Sequence, residues 1–73
     1  MDTDIQIYKN LGKNIKKYRL AKNSSQEKLS ELLEANPKFV GHVERVERFI
    51  SLKKLIHISQ ILEVPLSELF IFD

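Results

Sequence analysis

At 73 residues the chain is one small domain, and a deep catalytic cleft would compete with its core for the same side chains. It has no cysteine, which rules out disulfide staples and thiolate zinc sites and leaves packed apolar side chains as the source of stability. The net charge of +2 is small but unevenly spread: Lys9, Lys13, Lys16, Lys17, Arg19 and Lys22 share a stretch without an acidic residue, a distribution that hints at a polyanionic partner, although a solvated helix face explains a lysine run more often.

Two glycines and two prolines punctuate the chain and no β-branched alternation is sustained, so helices joined by tight turns are predicted, without linker, repeat or low-complexity tract. The first helix should run from about Asp4 to Ala21, because Ile7, Tyr8, Leu11, Ile15 and Tyr18 share one stripe at helical spacing. Lys9, Lys13, Lys16 and Lys17 project from the other side, whereas Arg19 falls beside the stripe, where a lone charge is costly unless a carboxylate meets it. Ser24-x-x-Glu27 reads as a capping box that opens a second helix at Ser24 or Ser25, with Leu29, Leu32 and Leu33 as its apolar positions and an end near Glu34. Asn36-Pro37 is a start signal, the asparagine capping free N–H groups and the proline taking the first helical position.

A third helix is therefore expected about three residues after the second. Helices so closely joined cross steeply and leave the outer face of the second protruding. Val40 and Val43 mark the inner face of this third helix, with Glu44 beside them, and a 100° step per residue gathers Lys38, Gly41, His42 and Arg45 on the outer one. Ser51 is the predicted cap of a fourth helix that buries Leu52, Leu55, Ile58 and Leu62 and is ended by Val64-Pro65; Leu66, Leu69 and Phe70 form a short last turn or helix.

The string Ser25-Gln26-Glu27-Lys28-Leu29-Ser30, Val40, Val43-Glu44-Arg45, Ser51-Leu52-Lys53-Lys54-Leu55 and Leu62-Glu63-Val64-Pro65-Leu66-Ser67-Glu68-Leu69-Phe70 resembles the Cro/C1-type helix-turn-helix family. That family takes in phage repressors, restriction–modification controller proteins and small bacterial regulators, and the resemblance spans about residues 11 to 70. It implies an all-α, lambda-repressor-like bundle of five helices, with residues 1–73 as a single domain. The implied activity is sequence-specific binding of double-stranded DNA by a transcriptional regulator, a repressor or controller acting as a two-fold homodimer on a palindromic operator.

Carried over residue by residue, Gln26 matches a glutamine that grips a phosphate and braces the recognition helix, while Pro37, Lys38, Gly41 and His42 fall on base-facing positions. Lys38 can donate to guanine O6 or N7, His42 can donate or accept at a base edge, Pro37 can pack on a thymine methyl and Gly41 permits close approach. Further phosphate contacts are expected from Asn36, Arg45, Arg48, Lys13 and Lys28, and Arg19 and Glu44 match an arginine–glutamate pair that links the first and third helices. Three positions depart from the pattern: Glu34 and Val46 stand where the family usually has glycine, and Ser30 where it usually has alanine. Glu34 should then carry the left-handed turn conformation at a cost of order 1 kcal/mol.

One such unit offers few base contacts, so a dimer is expected. Leu32, Phe49, Ile50, Ile61, Ile71 and Phe72 are more apolar than the assigned core requires, and Phe70, Ile71 and Phe72, with Ile61, are the candidate interface. Against an enzyme stand the two histidines, His42 and His57, on different helices, with no HExxH spacing and no phosphate-cradling glycine loop, so no catalytic residue, metal or cofactor is expected. The alternative is a protein-binding module, antitoxin- or antirepressor-like, that keeps the bundle with weak or no operator recognition, since Pro37 and Gly41 carry no side-chain donor. No apolar run approaches the ~20 residues of a membrane span, and Met1-Asp2-Thr3-Asp4 lacks the pattern of a signal peptide, so a full-length cytoplasmic chain with no membrane or small-molecule partner is expected.

Overall fold

A computed structural model describes residues 3–72 of the chain. The expectation drawn from Met1 and Asp2 at the start, and the last residue of the expected domain, Asp73, lie outside the described residues. Four α-helices follow one another, α1 (Thr3–Ala21), α2 (Gln26–Leu32), α3 (Phe39–Glu44) and α4 (Leu52–Leu62), and a 3-10 helix, Leu66–Phe70, closes the chain; no strand occurs among the described residues. The expected fifth helix is thus a 3-10 turn of five residues, opened by Pro65 and too short to propagate as α-helix.

The four α-helices end alike. Asn23, Glu34, Val46 and Glu63 each have a φ between 55° and 60°, and each completes a Schellman closure. At Asn23 the bonds run from Asn23 N–H to Leu20 C=O and from Ser24 N–H to Arg19 C=O, both 3.0 Å; the same pair recurs at Glu34, with Ala35 N–H donating to Ser30 C=O at 2.9 Å. Glu34 and Val46 hold this conformation with side chains where the resemblance leads one to expect glycine, and Val46 is β-branched, the least tolerant class at positive φ.

The closure also explains why α3 starts late. Leu33 to Ala35 are consumed by the turn out of α2, and Asn36 then accepts from Lys38 N–H through its side chain (2.9 Å) and from Phe39 N–H through its carbonyl (2.8 Å). Six residues, rather than three, therefore separate α2 from α3, and the helix begins at Phe39, with Pro37 and Lys38 in the preceding turn. The cap of α2 is Ser25, whose hydroxyl accepts from Lys28 N–H at 2.9 Å, so the Ser24–Glu27 box does not form; Ser51 caps α4 by accepting from Lys54 N–H at 3.1 Å.

Leu11 and Ile15 of α1, Leu29 and Leu33, Val40 and Val43 of α3, and Leu55, Ile58 and Leu62 of α4 meet in one core with Leu69. Phe39 and Ile50 join it too; Ile50 is therefore a core residue and not surplus apolar surface. Two residues assigned to buried stripes lie outside: Ile7 is 40% and Leu52 59% exposed, on the walls of an open groove that Tyr8, Leu55 and Phe70 also line. Leu32 is likewise exposed on the outer side of α2.

Candidate nucleic-acid interface

The orientation of α3 is set from behind by polar contacts. The Ser30 hydroxyl donates to the Gln26 carbonyl at 2.8 Å and accepts from Val40 N–H at 3.0 Å, tying the first turn of α3 to the middle of α2. At the other end of α3 the Glu44 carboxylate accepts from Arg19 Nε (2.8 Å), Arg19 Nη2 (3.2 Å) and Gln26 Nε2 (2.9 Å), while Arg19 Nη1 donates to the Ser24 carbonyl at 2.8 Å. Gly12 lets α1 approach this end closely: a Cβ there would lie 3.1 Å from the Glu44 carbonyl oxygen. The reader is thus braced on two sides by side chains from α1 and α2.

In front of α3 lies an open concavity lined by Ser25, Gln26, Glu27, Pro37, Lys38, Gly41, His42 and Arg45. Pro37, Lys38 and Arg45 are exposed and His42 half-buried, but Gly41 is buried. The expectation of four neighbours on one open face is corrected there. The Gln26 amide and the Arg45 guanidinium lie over Gly41, and a Cβ at that position would meet Gln26 Oε1 at 3.0 Å and Arg45 Nη1 at 3.1 Å. Gly41 therefore forms the floor on which those two side chains rest.

The remaining predicted contacts divide by place. Asn36 is exposed at the turn into α3, and Lys28 lies near Pro37, bordering a hollow shared with Glu27, Glu31 and Ala35, where its ammonium pairs with Glu31 at 3.1 Å. Arg48 sits beyond the other end of α3 with its guanidinium 5.7 Å from the Phe39 ring centre, and Lys54 of α4 stands over the same ring at 5.7 Å. Lys13 is not part of this group. It follows Gly12, which faces α3, so it is turned ~100° away and lines a separate hollow with Asn10, Asn14, Lys17 and Phe72.

Sequence reasoning missed Glu47. Its carboxylate lies 2.6 Å from His42 Nδ1 and accepts from Arg45 Nε at 3.2 Å, and these partners, Arg45 first, hold its carboxyl below the usual range. The His42–Glu47 separation of five residues bridges the left-handed turn at Val46, a register that helical spacing does not reveal.

The apolar residues assigned to a dimer face occupy two hollows and the tail. Phe70 borders a groove with Ile7, Tyr8, Leu52 and Leu55, whereas Ile61 lines a hollow with Leu32 and Lys22. Asn14 Nδ2 donates to the carbonyls of Leu69 and Ile71, both at 2.9 Å, which fixes the tail on α1 and leaves Phe70 and Ile71 exposed with Phe72 half-buried. Phe49, also counted as surplus, stacks on Tyr8 with ring centres 4.6 Å apart. Among the described residues no three His, Asp or Glu side chains converge as a metal site, His57 stands exposed on α4, and no helix is long and apolar enough to cross a membrane.

No family model matches the chain. It is 35% identical over 71 residues to control protein C.SmaI of Serratia marcescens, covering 93% of this chain and 84% of that protein. The crystal structure of the restriction–modification controller protein C.AhdI from Aeromonas hydrophila superposes with a TM-score of 0.80 at 33% identity, over 86% of this chain and 96% of that one. A hypothetical transcription factor, NHTF, from Neisseria superposes with a TM-score of 0.85 at 26% identity, over 90% and 76% of the two chains. With its reader helix braced between α1 and α2 and its identity to these proteins running nearly end to end, the chain belongs to the restriction–modification controller proteins, regulators of the Cro/C1 helix-turn-helix type.

Proposed function

We propose that the chain, as a single domain over residues 1–73, is a transcriptional regulator that binds double-stranded DNA sequence-specifically as a two-fold homodimer. One observation carries the reading: Lys38, His42 and Arg45 line one open concavity in front of a helix that is held rigidly from behind. The names of the relatives, a control protein, a restriction–modification controller protein and a transcription factor, support it. In this reading Lys38 and His42 meet base edges, Pro37 packs on a thymine methyl, and Gly41 leaves room for the Gln26 and Arg45 side chains that lie over it and face the duplex. Gln26, Asn36, Arg45, Arg48 and Lys28 meet phosphates. No cofactor or catalytic step is involved, and the protein works where the DNA is, in the cytoplasm.

A duplex site read by one short helix carries little information, and a two-fold dimer doubles it by presenting two helices about one DNA turn, ~34 Å, apart. The dimer face we propose is the carboxy-terminal edge, where Phe70 and Ile71 are 42% and 57% exposed with Phe72 behind them; Ile61 lines a different hollow and has no part in it. Selection of bound duplexes from a random pool tests both claims together. A palindromic consensus with half-sites about one helical turn apart is expected. An unenriched pool, with no salt dependence of binding, would sink the reading. Sedimentation of the Ile71→Glu variant as a monomer, from a dimeric parent, is the companion result expected for the interface.

A further inference from the structure

The proposed reading face carries a carboxylate among its donors. Glu47 Oε1 faces His42 Nδ1 at 2.6 Å and Oε2 accepts from Arg45 Nε at 3.2 Å, so one acidic group holds both a base reader, by one ring nitrogen, and a phosphate donor. The backbone fixes it there. Val46, at φ 60°, turns the chain back on α3, and Glu47 N–H donates to the His42 carbonyl at 2.7 Å. All three side chains are substantially exposed, at 38% for His42, 54% for Arg45 and 50% for Glu47, so the contacts can be exchanged on meeting another molecule.

Such an arrangement acts differently on two kinds of duplex. Binding to arbitrary sequence draws on phosphates alone. There, Arg45 must leave one anionic acceptor to gain another, and the displaced carboxylate stays close to the phosphates and repels them. At an operator the carboxylate can keep His42 Nδ1 while Nε2 meets a base edge, a contribution that arbitrary sequence does not return and that offsets the loss. We propose that Glu47 is a specificity-determining residue: it competes with phosphates for Arg45 on any duplex, while its hold on His42 Nδ1 presents Nε2 to a base edge at an operator alone, and so it widens the gap between operator and background. This deepens the DNA-binding reading above and rests on it. The lowered carboxyl pKa of Glu47 is consistent with a group ionised throughout the neutral range.

The test is fluorescence anisotropy over a salt series, with one mixed-sequence duplex and one duplex taken from the random-pool selection. Glu47→Gln keeps the side-chain shape and removes the charge; Glu47→Ala removes the group altogether and serves as the second variant should glutamine retain both contacts. Glu63→Gln makes the same change of net charge at a carboxylate paired with Lys22 instead. For Glu47→Gln or Glu47→Ala, affinity for the mixed duplex should rise about threefold or more, with a smaller change for the selected duplex. The log–log salt slope should steepen by up to ~0.9, the share of one phosphate newly met. The gain should vanish in an Arg45→Ala background. Unchanged affinity and slope in both variants, or an equal gain from Glu63→Gln, would overturn the inference alone. A parent protein that binds neither duplex would overturn the DNA-binding reading and this inference with it.

Discussion

Arg19 on α1 and Glu44 at the end of α3 form a forked ion pair in the interior, Nε to Oε2 at 2.8 Å and Nη2 to Oε1 at 3.2 Å, with side chains 7% and 5% exposed. A carboxylate at a helix C-terminus opposes the helix dipole, and the guanidinium offsets that opposition while joining the reader helix to α1. Gln26 donates to the same carboxylate, so removing Glu44 strands three donors at once, Arg19 Nε and Nη2 and Gln26 Nε2. Glu44→Ala should destabilise the fold by about 3–5 kcal/mol, as for other buried pairs broken on one side. Urea denaturation measures this, and a loss below about 1 kcal/mol would show that the pair does not hold α3 in place.

Ser30 is wholly buried and its hydroxyl is the acceptor for the N–H of Val40. Ser30→Ala should cost about 1–3 kcal/mol, because a backbone donor then sits in the core without a partner. The variant should show this in its denaturation midpoint. Stability equal to the parent's would mean that the N–H finds another acceptor after a small shift of α3.

Val46 pays for its left-handed backbone without glycine's freedom, at φ 60°. Val46→Gly should raise stability by about 1 kcal/mol, the strain relieved exceeding the loss of a half-buried side chain and the added chain entropy. Glu34→Gly, at φ 56° and exposed, should gain a similar amount with no packing loss. Thermal midpoints that fall in both variants would contradict the strain argument.

Lys38→Ala and His42→Ala should reduce discrimination between the selected duplex and single-base variants of it by about 1–3 kcal/mol at the contacted position. Arg48→Ala should instead weaken all duplexes alike and flatten the salt slope by ~0.9. A specificity profile untouched by either of the first two changes would remove them from base readout.

Glu63 is held below its ordinary value of 4.5 mainly by the hydrogen bond from Lys22, and Tyr18 above its ordinary value of 10.0 mainly by its hydrogen bond to Glu68, at 3.1 Å. For the carboxylate, the stabilising contribution is present above the unfolded value and fades as pH falls through the lowered folded one. For the phenol it is present below the unfolded value and fades as pH rises through the raised one. Stability should therefore decline on both flanks of a neutral plateau. Melting temperatures recorded against pH should show a shallower acid flank in Glu63→Gln and a shallower alkaline flank in Tyr18→Phe. Flanks identical to the parent's would mean that other groups set them.

Much of this was legible in the residues themselves. Local signals work where the cause is local: Ser51 caps α4 because its own hydroxyl reaches the next turn, and Glu34 takes positive φ because a helix must be closed there. The need of Arg19 for a carboxylate followed from its place beside an apolar stripe, and Glu44 meets that need. Capping at Ser25 in place of Ser24, and the late start of α3, came from competing local bonds that a spacing rule does not rank.

Composition, helical periodicity and capping chemistry, all properties of a chain and its near neighbours, determined that this protein is a small helical bundle with one polar, partly basic helix face turned outward. Only the tertiary structure decided which groups occupy that face. Gly41 is roofed by Gln26 from α2 and by Arg45, Leu52 and Ile7 lie open, Phe39 is buried beneath Arg48 and Lys54, and Glu47 folds back across a left-handed turn onto His42 and Arg45. Periodicity tells which side of a helix turns inward; which side chains arrive from other elements to cover it depends on distances across the fold.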